Sequence, residues 1–391
     1  MDTIIIKLYG KFKTGDRSLF VPELIKRDCK DLSPTERTSK HRYLRRFKLE
    51  AKQQEEYLPR VEIFEALNED RTSLLYVMKI EFSAPKLLYW NSLQEVGEDH
   101  KEKVFSALKS ALARVSIFVE IDTISDALVS AVHICKNIPL PKTIKMREII
   151  NELSKVDISK AFDVADKQDK KGARVLNIYA GTTDWSFYDK IADAERPKNK
   201  RSDKHRINHE RTIIELYNLH GREVFRYEYR IKKNQTVRRE VNALLGRDYT
   251  SKVIFSDLFT PNLLKNLTLN SWHKITERPE NQLSLFGKVD KLTLLLHILS
   301  EAEKRGVGAH SMNNALISYG IATVIQDHGA KELKVIMFES WCKGHPERLT
   351  KKIKLASEFA KGLPTSSKIA FLNTALEKFE IISLASLEKG I

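Results

Sequence analysis

The chain has 391 residues, 42% of them hydrophobic and 30% charged. That is enough apolar content for a proper core and two or three domains, and it excludes a disordered tail. The formal net charge of +15 points to a polyanionic partner, nucleic acid first and an anionic membrane surface second. Cys29, Cys135 and Cys342 lie far apart without CxxC spacing. This argues against a disulfide framework or zinc ribbon and fits a reducing, cytoplasmic setting. No apolar run makes a signal peptide or approaches the ~20 residues of a membrane span.

In chain order, a strand is predicted over 4–9. Residues 26–54 are dense in charge and read as a surface helix or an irregular excursion. A strand follows over 74–82, then a helix over 99–113, where Val104, Phe105, Leu108 and Leu112 fall at helical spacing. Strands are predicted over 115–121 and 129–138, the latter closed by Pro139 and Pro141. A helix is expected over 145–153 and a polar linker over 167–172. A second run then begins, with strands 174–180 and 185–190, a basic segment, a helix over 209–219, a strand over 223–232 and a helix over 237–245. Past residue 255 only helical patterns remain, at 292–305, 312–326 and 353–361. The expected class is α+β, with antiparallel sheets, helices on one face and a C-terminal α-helical domain over 251–391. The two runs share a layout that hints at a duplicated ferredoxin-like or HUH-like unit with halves 1–165 and 170–250, without sequence identity to prove it.

Two strands carry the chemistry. Along 185–190, Trp185 and Phe187 point one way and Tyr188 and Lys190 the other. Along 225–232, Phe225, Tyr227, Tyr229 and Ile231 form an apolar face opposite Arg226, Glu228, Arg230 and Lys232. A phenol is a weak nucleophile at neutral pH and needs a cation or base beside it, which Lys190 would supply. Glu228 between two arginines reads either as an ion-pair ladder on a wet face or as a metal-binding carboxylate with Arg226 and Arg230 on phosphate oxygens. The basic stretch 196–206, with Lys198, Lys200 and Arg201, reads as a solvated linker or a phosphate clamp, and the charge balance favours the clamp. His133 and Cys135 share one strand face, and Cys135 is a poor ligand for a hard cation. No GxGxxG after a strand, GxxxxGK[ST], HExxH or GxSxG occurs, which sets aside nucleotide hydrolysis and serine-hydrolase chemistry.

Four segments, taken together and in this order, resemble the phage and plasmid rolling-circle replication initiators: Glu81-Phe82-Ser83-Ala84-Pro85-Lys86-Leu87-Leu88-Tyr89, His133-Ile134-Cys135-Lys136-Asn137-Ile138, Phe187-Tyr188-Asp189-Lys190 and Arg226-Tyr227-Glu228. The similarity is to the group containing the filamentous-phage nicking protein, with trans-acting plasmid initiators and HUH endonucleases as cousins, and it covers about 1–250. It implies a site-specific, metal-dependent nick in single-stranded or hairpin origin DNA, a 5′-phosphotyrosine and a free 3′-hydroxyl primer. Tyr188 would be the nucleophile, Lys190 its electrostatic partner, and Glu228 the leading ligand for Mg2+ or Mn2+. His133, Glu81 and Asp189 would complete the metal set. Arg226, Arg230, Lys136, Lys198, Lys200 and Arg201 would hold DNA. A host helicase and polymerase would be partners, and a homodimer is compatible. The rival readings are a non-catalytic DNA-binding replication or copy-control factor, and an RNA-binding module on a ferredoxin-like sheet, the latter weakened by the lack of an exposed aromatic run.

Overall fold

The computed structural model describes every residue except 16–19, 25–41, 50–56, 68–72, 157–162, 169–173, 196–208, 288, 307–308, 341–345 and 390–391. Its strands are β1 Thr3–Tyr9, β2 Lys13–Thr14, β3 Phe20–Leu24, β4 Arg42–Leu49, β5 Arg60–Leu67, β6 Leu74–Ser83, β7 Ile117–Phe118, β8 Leu128–Pro139, β9 Asp163–Gln168, β10 Arg174–Tyr179, β11 Thr183–Asp189 and β12 Val224–Ile231. Ten of them form one sheet in the order β3-β4-β5-β6-β1-β8-β12-β11-β10-β9, while β2 pairs with β7. Every neighbouring pair in the large sheet is antiparallel.

The first six helices are α1 Ala84–Tyr89, α2 Lys101–Arg114, α3 Ile121–Ser125, α4 Met146–Ser154, α5 Lys190–Glu195 and α6 His209–Leu216. They are followed by α7 Asn234–Leu245, α8 Leu263–Thr276, α9 Pro279–Leu285, α10 Lys291–Glu303 and α11 Ala309–His328. The chain ends with α12 Ala330–Ser340, α13 Pro346–Phe359, α14 Ser367–Lys378 and α15 Leu384–Lys389.

The α+β class and the helical C-terminal region are as expected. Alternation does the local work in the sheet. In β1, Ile4, Ile6 and Leu8 are buried while Thr3, Ile5, Lys7 and Tyr9 turn to the other face. β-branched side chains suit this pleated geometry. The apolar face, with Ile80, Phe82, Val132, Ile134, Phe187 and Tyr227, packs against α2, α4, α7, α8 and α14 in one core. Fully burying each such side chain contributes about 1.5–3 kcal/mol.

β1 lies between β6 and β8 and is antiparallel to both, so β6 and β8 run parallel and are joined through α2 across β1. This is a split β-α-β unit. The second run, β9 to β12, continues the same sheet across the β8–β12 seam, from Val224–Pro139 to Ile231–Val132. It is a simple meander, so the two runs share a sheet and differ in topology.

Three local expectations are corrected. Residues 42–49 form strand β4, and β5 beside it was not anticipated. Charged residues such as Arg46, Arg60 and Glu62, which pair across strands, occupy the positions that would otherwise show the pattern of a half-buried strand. The linker at 167–172 overlaps β9, an edge strand whose polar residues leave no hydrophobic signal. The strand at 115–121 shrinks to β7, and α3 begins at Ile121. The packing also divides the chain elsewhere than at residue 250. Helices α8 and α14 belong to the sheet's core, whereas a separate apolar cluster runs from Leu283 to Leu363 within α9 to α13.

Candidate active site on the polar sheet face

The cross-strand register sets Tyr188 opposite Arg226, Ser186 opposite Glu228 and Asp184 opposite Arg230. On the next strand over, Asn137, Cys135 and His133 stand opposite Arg226, Glu228 and Arg230. All nine residues lie on the face away from the aromatic side chains of β12. Phe225, Tyr227, Tyr229 and Ile231 are each wholly buried on the other side, as their alternation predicts. Trp185 lies 5.1 Å from Tyr229 between ring centroids, and Phe187 packs on Phe225 and Tyr227. These aromatic contacts pin the register that assembles the polar face.

Glu228 is the hub. Its Oε1 accepts from the Tyr188 hydroxyl at 2.8 Å and from Arg226 Nε at 2.9 Å. Its Oε2 accepts two bonds from Arg230, with Nε at 3.0 Å. Arg226 is 1% exposed, and its guanidinium also reaches Asp2 Oδ2 at 2.7 Å, Ser92 O at 2.9 Å and Asn137 Oδ1 at 3.1 Å. Lys232 pairs with Asp184 at 2.8 Å. The three cations Arg226, Arg230 and Lys232 thus meet the three carboxylates Asp2, Glu228 and Asp184. Burial alone would raise the Glu228 carboxyl, but the two guanidiniums outweigh it and hold the group well below the usual range. The Tyr188 phenol moves the opposite way. Burial first, and then the neighbouring Glu228 charge, push it well above its ordinary value, against a smaller pull from Arg226.

Several sequence expectations are corrected by this geometry. Tyr188 is partly buried with its hydroxyl engaged, and the face is not the open ladder that alternation alone implies. Lys190 does not stand beside it: β11 ends at Asp189, α5 begins at Lys190, and the 4% exposed ammonium pairs with Glu210 at 3.1 Å. The cation bearing on the phenol is Arg226. Asp189 caps α5, its Oδ1 accepting from Ile191 N at 3.0 Å and from Val224 N at 3.3 Å. Burial pushes its carboxyl up to about 6. Lys136 lies on the helix-covered face, 2% exposed, bonded to Glu95 at 2.6 Å and to the Glu380 carbonyl. Neither Lys136 nor Arg226 presents itself to a DNA phosphate. Arg230, with a third of its side chain exposed, is the arginine of the cluster that solvent reaches. Lys198, Lys200 and Arg201 lie outside the described residues.

A hard divalent cation needs converging oxygen ligands and excess negative charge. Glu228 is saturated by four donors, Asp189 is committed to backbone amides, and Glu81 faces Arg60 at 3.5 Å. His133 stands opposite Arg230, and burial and that guanidinium lower its pKa, keeping the ring neutral. Among the described residues no three His, Cys, Asp or Glu side chains gather as a ligand set. The residues as placed do not fit the cation that the resemblance implies. Cys135, buried across from Glu228, has its thiol pushed up to about 11 by burial and stays protonated.

Sequence reasoning missed Asp2, Ser92 and Asn137 as partners of Arg226. The signal was indirect: an arginine alternating with buried aromatics needs counter-charge, but its source lies 224 residues away for Asp2. The N-cap of α1 is also local to this region. Ser83 accepts from Lys86 N and donates to Asp2 Oδ1 at 2.8 Å, so the Ser83-Ala84-Pro85 turn helps to hold Asp2 against Arg226.

Comparison with protein-family models, with curated proteins and with solved structures gives no match for this chain. Among the described residues no helix is long and apolar enough to cross a membrane.

Proposed function

We propose that the chain cuts and rejoins a single DNA strand as a rolling-circle replication initiator, with Tyr188 as the nucleophile. The observation that carries this reading is the 2.8 Å hydrogen bond from the Tyr188 hydroxyl to Glu228, flanked by Arg230 at the solvent boundary. A nucleophile held in one orientation by an anion that a third group fixes in turn is an arrangement such chemistry can use. The phenolic oxygen attacks the scissile phosphorus and forms a tyrosyl phosphodiester. The phenol is un-ionised at rest and releases its proton to solvent as the P–O bond forms, while Glu228, kept strongly acidic by Arg226 and Arg230, orients the hydroxyl through their hydrogen bond. The bond to the 3′ oxygen breaks, and that oxygen takes a proton from solvent to leave a primer hydroxyl. Arg226 holds Glu228 in place, and Arg230 lies where it would meet a phosphate oxygen. No step is routed through a metal ion, because the carboxylates are otherwise committed.

One observation favours a second reading, a non-catalytic DNA-binding replication or copy-control factor. Glu228 and Arg226 are so fully paired that the cluster also makes sense as internal scaffolding. Incubation with end-labelled single-stranded origin DNA, with Mg2+, Mn2+ or chelator, tests both. The nicking reading expects a denaturation-resistant adduct that Tyr188→Phe abolishes while DNA affinity stays within severalfold. No adduct under any condition would leave the binding reading standing. An adduct of wild-type yield in Tyr188→Phe would move the nucleophile elsewhere.

A further inference from the structure

We propose that residues 379–387 clasp the candidate active site: through Glu95 they fix the strip 91–96, which positions Arg226 and thereby Glu228 and the Tyr188 hydroxyl. Helix α14 stops at Phe379, whose left-handed φ of 53° turns the chain toward that strip. Ile382 then pairs with Glu95, 287 residues away in the chain. The Ile382 carbonyl accepts from Glu95 N at 3.0 Å, and the Ile382 N–H donates to Glu95 Oε2 at 3.1 Å. Lys136 joins the same knot. Its ammonium pairs with Glu95 Oε2 at 2.6 Å, donates to the Glu380 carbonyl and lies 5.4 Å from the Phe379 ring centroid. Ile382 and Leu387 also share a buried apolar cluster with Leu93, Ile191, Ile214 and Val224.

The strip carries this anchorage to the site. Two of the groups that hold Arg226 depend on it. The Ser92 carbonyl accepts from the guanidinium at 2.9 Å, while Ser92 N donates to Glu210 at 3.0 Å. Asn137 Nδ2 donates to the Leu93 carbonyl at 2.8 Å, which leaves Asn137 Oδ1 to accept from Arg226 at 3.1 Å. Asn137 N donates to Glu95 Oε1, so both carboxylate oxygens of Glu95 are engaged. Glu95 and Lys136 are almost wholly buried. Apolar residues of similar volume often serve a fold as well as a buried ion pair does. What the pair adds is direction, because each donor and acceptor must be met in one geometry. Arg226 in turn bonds Glu228 Oε1, the oxygen that accepts the Tyr188 hydroxyl. Movement of the strip is therefore felt at the phenol. The effect on the phenol's surroundings is independent of the nicking reading, and only the effect on cleavage rests on it.

Leu387→Asp releases the clasp far from the chemistry, and Leu387→Ala is the milder variant if the first fails to fold. With tyrosines isotope-labelled at Cζ, and the Tyr188 signal assigned through Tyr188→Phe, nuclear magnetic resonance should show that signal displaced in the released variant. Amide hydrogen exchange at 91–96 should quicken by about tenfold or more. Adduct formation on end-labelled single-stranded DNA should slow by about tenfold or more, as for other losses of positioning. Leu387→Met, which refills the cluster, should restore all three. Leu363→Ala, in the separate bundle cluster, should lower the melting temperature and change none of them. An unmoved Tyr188 signal in a folded Leu387 variant overturns the clasp, as does an equal displacement in Leu363→Ala. Wild-type protein that forms no adduct removes the nicking reading instead, and the Tyr188 signal still decides the clasp.

Discussion

Two ion-pair systems lie on the same polar face of one sheet and are built from the same residue types, yet they differ in consequence. Across β4, β5 and β6, Glu62 meets Arg46 and Lys79, and Glu81 meets Arg60, with side chains 20% to 57% exposed. Around the β8–β12 seam, Arg226 and Glu228 are 1% and 6% exposed and have their remaining hydrogen-bonding capacity filled by Tyr188, Asn137, Ser92, Asp2 and Arg230. Alternation writes both patterns identically. Burial separates them: exposed pairs are screened and contribute about 0–1 kcal/mol, whereas breaking a buried pair leaves a charge that nothing solvates.

The largest expected effect is at Arg226. Arg226→Ala should cost about 3–5 kcal/mol, the range for stripping one partner from a buried pair, because Asp2 loses its guanidinium and Glu228 is left with Arg230 as its only cation among the described residues. Urea unfolding measures it, and a loss under 1 kcal/mol would place the seam with the exposed ladder. Tyr188→Phe should cost about 1.5–3 kcal/mol, as a hydrogen bond to a buried carboxylate is lost while the ring remains. A neutral result would mean the hydroxyl does not hold Glu228.

The pH dependence separates two neighbouring carboxyls by sign. Glu228 is held below its unfolded value, so its stabilisation is present above the ordinary glutamate range near 4.5 and drains away as pH falls toward its folded value. Asp189 is raised to about 6 from 3.8, so it destabilises the fold above about 6, and that cost disappears below about 4. Asparagine caps helices as well as aspartate does. Asp189→Asn should therefore stabilise the protein at pH 7.5 by about 1–2 kcal/mol, a two-unit shift discounted for partial exposure, with no gain at pH 3.5. Thermal melts at the two pH values give the answer. A loss of stability at pH 7.5 would contradict the capping role.

The smallest effect belongs to the exposed ladder. Glu81→Gln should change stability by no more than about 0.5 kcal/mol, and the change should shrink in high salt. A cost comparable to that of Arg226→Ala would erase the distinction between the two regions.

The local readings that came through are those governed by side-chain periodicity. β1, β8, β11 and β12 are legible because apolar and polar residues alternate with period two, and α2 because Val104, Phe105, Leu108 and Leu112 repeat at helical spacing. Parity also sorted Tyr188, the Arg226–Glu228–Arg230 row and His133 within their own strands, since a strand cannot turn one residue without turning all, and the cross-strand register then put them on one face. Parity failed at Lys190 because the strand stopped one residue earlier, whereas Lys136, assigned to DNA through the resemblance, has the parity of the core face, where its ammonium meets Glu95. Whether a polar face is wet is a property of what else folds against it. Residues 91–96 pack beside the seam, bringing the Ser92 carbonyl to Arg226 and Glu95 to Lys136, and Asp2 arrives on β1's flank. Composition and alternation therefore determined the class, the central strands β1, β6, β8, β11 and β12, and the sorting of side chains along them. Only the tertiary structure decided which charges are desolvated, because desolvation depends on neighbours that are remote in the chain.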